Sequence, residues 1–163
     1  MEEVIDQIAA AFNGVHFPGS RKLLHFPDTG NDLWIESFLD CKFSCWQEVP
    51  ADLIEYECSA LTAFSPEAFI FFIPAYMTWV LKNYEKSDSS TVDHTLYGLD
   101  LTTRDKNSKR IMLERFEPLS LMQKKSIFSF LNLLKDEKFD NFVDIKAAKK
   151  ALDSYWGKFE NEI

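Results

Sequence analysis

Apolar residues along this chain fall mostly in bursts at helical spacing, and no segment alternates strictly between apolar and polar positions. Glu2 to Asn13 predicts a first helix. Acids fill its first turn, Val4, Ile5, Ile8 and Phe12 share one side, and Gly14 follows as a stop. An irregular stretch with two related triplets comes next, His16-Phe17-Pro18 and His25-Phe26-Pro27, read as a loop pinned by aromatic residues. Asp32 to Asp40 predicts a short helix with Leu33, Trp34, Phe38 and Leu39 inward. A turn starts near Pro50, and Ala51 to Ala60 is helical and acidic.

The run from Ala68 to Leu81 carries no charge and has Pro74 at its middle. It is too short for a bilayer span, which needs about 20 apolar residues. Its start is well signalled, with Ser65 as N-cap, Pro66 at the first helical position and Glu67 in the first turn. Apolar residues all round it require cover on several sides, and Pro74 predicts a kink because it removes one backbone hydrogen bond. Residues 65–83 are therefore the expected central helix.

Thr91 to Tyr97, ending at Gly98, predicts a further short helix. Residues 100–110 read as an exposed loop, and Ile111 to Phe116 as a short strand or an extended approach. Ser120 and Gln123 form a capping box ahead of the buried stripe Ile127, Phe130, Leu131 and Leu134. A last helix starts at Asp144 and uses Ile145, Ala148, Leu152, Tyr155, Trp156 and Phe159 as its inner side. The expected fold is mainly α: one domain over residues 1–163, a compact bundle of six or seven unequal helices around the Pro-kinked central one.

Composition adds two points. Fifteen Phe, five Tyr and four Trp make the core ring-rich and leave aromatics for a binding surface. The net charge of −8 disfavours nucleic acid and anionic membrane as partners. That charge is uneven. Residues 1–103 sum to −11 and residues 104–163 to +3, either for solubility alone or as an acidic face toward a basic partner. The acidic start MEEVIDQIAAAF lacks the basic and apolar regions of a signal peptide, so a cytoplasmic location with reduced cysteines is expected.

The sequence holds no Gly-rich phosphate loop, no G-x-S-x-G elbow and no H-E-x-x-H. Cys41 and Cys45 would share a helix face if that segment were helical. With Cys58 and one of His16, His25 or His94 they number enough for zinc, but the spacing fits no common module. Small buried cysteines are the plainer reading. Asp93-His94 is read as a surface feature, because adjacent helical residues point apart. Neither an enzyme site, a metal nor a cofactor is expected.

The segment Trp46 to Glu57 is the candidate binding site. Trp46, Glu48, Asp52, Glu55, Tyr56 and Glu57 combine four acids, no base and two interleaved aromatics. Clustered carboxylates steer a basic partner, and Trp and Tyr are favoured at interface hot spots. The plainer alternative is a solvated helix face whose aromatics point into the core. Both remain open at this level.

Four landmarks carry a resemblance: Leu61 to Phe69 (LTAFSPEAF) with Ile73 to Tyr76 (IPAY), Arg115-Phe116 with Leu119, Ser120 and Gln123, Phe130-Leu131, and Ala151-Leu152 with Tyr155-Trp156. In this order the chain resembles a family of mostly bacterial domains of unknown function over roughly residues 30–157. The resemblance implies a helical fold and brings no catalytic residues. Small acidic helical proteins are also similar in type to immunity proteins that neutralise bacterial toxins. The functional expectation is a non-catalytic cytoplasmic protein-binding domain, possible alternatives being a small enzyme or ligand binder with an aromatic-lined pocket near Pro74, or a helical adaptor module.

Overall fold

The computed structural model describes residues 1–26, 35–102 and 105–162. Eight α-helices occur among them: α1 (Glu2–Ala11), α2 (Glu36–Leu39), α3 (Ala51–Tyr56), α4 (Pro66–Asn83), α5 (Thr91–Tyr97), α6 (Lys106–Phe116), α7 (Leu121–Leu134) and α8 (Ile145–Ser154). Short 3-10 turns punctuate them, notably at Trp46–Glu48, Ala60–Thr62 and Trp156–Phe159. The described residues hold no strand; an isolated bridge joins Leu24 to Phe64. The chain is an all-α fold.

α4 is the hub. The Ser65 hydroxyl accepts from Ala68 N (3.1 Å) and donates to Lys22 O (2.5 Å), so it caps the helix and ties down an earlier loop. The helix runs through Pro74 to Asn83, and burial of Phe69, Phe71, Phe72, Ile73, Tyr76, Met77 and Val80 follows its all-round apolar sequence. Packed around it are α1, α3, α5, α6 and the 46–48 turn. α7 packs against α1, α8 and the 156–159 turn, closing the second half of the bundle.

A smaller group of rings joins Tyr84 to Phe139 and Phe142, and the two larger nests of rings lie in the core. In one, Phe64 stacks on Phe72 at 4.5 Å between centroids, with Phe17, Phe38, Phe43 and Phe71 around them. In the other, Phe116 meets Phe69, Tyr155 and Trp156. α4 supplies rings to both, which joins them into one core.

Several expectations need correction. Residues 106–116 form α6, not a loop followed by a strand or extended approach. Asp105 caps α6 by accepting from Asn107 N and Ser108 N, while only Met112, Arg115 and Phe116 along it are buried. That pattern hides the helix, since one of its three inward positions is a charged residue. α3 stops at Tyr56, and the chain reaches Ala60 through a turn. α2 covers only Glu36–Leu39, and Asp32, Leu33 and Trp34 lie outside the described residues. Residues 41–45 are not helical, so Cys41 and Cys45 do not share a helix face.

The landmark residues are ties between distant segments. Arg115, itself buried, donates from Nε to Phe64 O and from Nη2 to Thr62 O, both at 2.7 Å. The Trp156 indole donates to Leu99 O at 2.9 Å. Ser120 and Gln123 form the reciprocal capping box that starts α7. No helix among the described residues is long and apolar enough to cross a membrane.

Candidate functional site

The acidic segment divides between core and solvent. Trp46 is buried, 4% exposed, in the 3-10 turn against α4. Pro50 breaks the chain, and α3 begins at Ala51 with Ile54 facing inward. Helical geometry then decides the rest. Glu57, three residues beyond Ile54, lies on the buried side, while Tyr56, two beyond it, points away. Tyr56 is 79% exposed and Glu57 only 6%.

Glu57 is accordingly a structural carboxylate. Its Oε1 accepts from Ser37 N at 2.9 Å, and its backbone carbonyl accepts from the Tyr76 hydroxyl at 2.6 Å. Burial, with Glu57 nearby, pushes the Tyr76 phenol well above its ordinary value and keeps it a neutral donor. Trp46 and Glu57 therefore leave the partner-binding set, because neither offers a surface to a second molecule. Glu48, Asp52, Glu55 and Tyr56 remain together on the outside.

The three exposed acids bond locally. Glu48 accepts from Ser44 N at 2.7 Å, Asp52 from Leu53 N at 3.0 Å, and Glu55 from the Ser87 hydroxyl. None has a cationic partner among the described residues; the ion pairs there join His25 and Arg110 to Glu114, and Lys138 to Asp136. The arrangement is an unneutralised carboxylate face around an exposed phenol.

A second cluster carried no local signal. His25 and Arg115 line a cavity of 190 Å³ together with Phe26, Thr62, Gly98, Ile111 and Met112, and Glu114 reaches His25 from outside that lining. His25 Nε2 lies 3.2 Å from Glu114 Oε2, and its buried Nδ1 has no hydrogen-bond partner among the described residues. Burial first, then the Arg115 charge, lowers the imidazole pKa despite Glu114. The neutral ring then donates from Nε2 to the carboxylate and presents a lone pair at Nδ1. Ser108, on the same cavity, is engaged with Asp105 and is no free nucleophile. Some ninety residues separate the partners, so only the α6 phase could have revealed them.

The cysteines stand apart. Cys41 Sγ donates to Ser37 O, Cys58 Sγ meets Ser90 Oγ, and burial together with Asp40 pushes the Cys41 thiol up. All three are free, and among the described residues no three His, Cys, Asp or Glu side chains gather as a metal site. Asp93 is exposed and His94 half-buried.

The chain matches a family described as a family of unknown function, DUF6714, over residues 1–160. This is wider than the span of roughly residues 30–157 that the resemblance implied. No curated protein and no solved structure matches the chain.

Proposed function

The chain belongs to that family of unknown function, and from this premise we propose that it is a non-catalytic protein-binding domain whose α3 face receives a basic protein. One observation carries the reading: Tyr56, 79% exposed, stands among Glu48, Asp52 and Glu55, whose charges no cation neutralises among the described residues. A large phenol kept in water is a ready hot-spot anchor, and unpaired carboxylates raise the encounter rate with Lys and Arg. Its most concrete form is an immunity-type inhibitor in the cytoplasm that covers the basic active site of a toxin. Anionic partners such as nucleic acid would be repelled by the same face.

The test compares capture of a basic protein from the source cells by the native chain, by Tyr56→Ala and by the triple variant E48K/D52K/E55K. Both variants should weaken binding at least tenfold, and raising salt from about 0.05 to 0.5 M should weaken it for the native chain. An unchanged affinity in the triple variant rejects the face. Glu57 is left untouched, because reversing a buried carboxylate would unfold the chain rather than probe a surface.

A further inference from the structure

The α3 face is too small to hold a protein partner by itself. α3 has 6 residues and is therefore about 9 Å long, whereas a standard interface covers about 800 Å² and roughly 20–30 residues on each side. A partner seated on α3 must also touch neighbouring elements. Two contacts say which of them lie alongside. The Ser87 hydroxyl donates to Glu55, and Cys58 Sγ meets Ser90 Oγ at 3.4 Å, so the 84–90 link and the start of α5 run against the end of α3.

That link leads to an exposed aromatic site. The Tyr84 ring meets Phe142 at 5.8 Å between centroids, and Asp93 lies in the first turn of α5, just after Ser90. Phe142 is 47% exposed, although its side chain is large and apolar. A shallow depression of 380 Å³ beside it is lined by Asp93, Asp140, Asn141 and Asp144, with Lys146 the one base there among the described residues. Tyr97, also exposed, donates from its hydroxyl to Asp144 Oδ2 at 3.4 Å. The ion pairs among the described residues include none of these three carboxylates. A ring face in water beside unneutralised carboxylates suits a cation, which the charges attract and the ring can hold.

We propose that this depression is the second half of the interface for the basic protein, receiving an arginine-bearing loop while α3 receives the rest. The proposal rests on the α3-face reading. Arginine fits better than lysine, because its planar guanidinium stacks on a ring while its N–H groups bond carboxylates. Tyr56 and Phe142 are then two anchors of one interface, joined by the 84–90 link. An acidic segment would be repelled by Asp93, Asp140 and Asp144.

The experiment titrates ¹⁵N-labelled protein with an end-blocked tetra-arginine peptide and, separately, with its tetraglutamate counterpart, following assigned backbone amides. Tetra-arginine should shift Asn141 and Phe142 as well as Glu55 and Tyr56, saturably, and tetraglutamate should shift neither group. Phe142→Ala should weaken the dissociation constant read at Asn141 at least about threefold, and D93N/D140N at least fivefold. Asp144 stays native because it caps α8. Tyr56→Ala should leave the constant at Asn141 within a factor of two. Absence of a saturable shift at Asn141 and Phe142 overturns this proposal; if Glu55 and Tyr56 still respond, the α3 face stands without it. Shifts confined to residues 140–144 reject the α3 reading and, with it, the shared interface. An undiminished constant in Phe142→Ala, whose fold the same spectrum reports, also overturns the proposal, because charge alone would then explain the binding.

Discussion

Tyr56 and Glu57 show how far one bond along the chain can separate two side chains in role. Composition identified the acidic, aromatic segment but could not assign its members to core or solvent. The missing datum was the phase of α3, which Ile54 fixes. Once that residue points inward, Glu57 must follow it and Tyr56 must not. The pairing of His25 with Glu114 had no signal for a different reason: its partners lie on a helix whose inward face includes an arginine. Its environment gives a pH dependence with a definite sign. The folded pKa is depressed, so the unfolded chain takes up the proton first as pH falls. Stability should therefore be full above about pH 6.5 and decline as pH drops below it toward the folded pKa. Urea midpoints should fall between about pH 7.5 and pH 5.5, and His25→Gln, which can still donate to Glu114, should flatten that slope. Equal slopes in both proteins would remove His25 as the cause.

At the scale of elements, capping chemistry was the most legible signal. Ser65-Pro66-Glu67 and Ser120-x-x-Gln123 mark the starts of α4 and α7 as observed. α6 was missed because its cap, Asp105, precedes a polar surface turn rather than an apolar stripe. The two serine caps are not equivalent. Ser120 serves its own helix, whereas Ser65 also holds the Lys22 carbonyl across 43 positions of sequence. Ser120→Ala should cost about 1 kcal/mol and Ser65→Ala about 2 kcal/mol, the excess being the lost tertiary hydrogen bond. Denaturant titrations of the two variants measure the difference directly. A smaller loss for Ser65→Ala than for Ser120→Ala would mean that the Lys22 tie contributes nothing.

Over the whole molecule, the ring count foretold the character of the core but not its division into two nests. That division depends on contacts such as Phe69 with Phe116 and Phe64 with Phe72, which lie too far apart in sequence or direction for periodicity to register. Because α4 belongs to both nests, neither should melt alone. Trp156 belongs to the Phe116 nest, Trp46 and Trp79 lie along α4 outside it, and all three are buried. Tryptophan fluorescence and far-ultraviolet circular dichroism should therefore give coincident urea transitions. Two separated transitions would show that the nests are independent folding units. The uneven charge, acidic through residue 103 and basic after it, was visible from the start; the few ion pairs among the described residues show that it is not spent on local pairing.

The tether at Glu57 has a consequence for the residue beside it. Ser37 N holds the Glu57 side chain and the Tyr76 hydroxyl holds its carbonyl, so the end of α3 is clamped from two directions. The backbone that carries Tyr56 is thus tied, at the next residue, by two tertiary hydrogen bonds. An anchor mounted on a stiff base loses little conformational entropy when it docks. Complexes formed through it should assemble by rigid-body collision, with no ordering step to slow them.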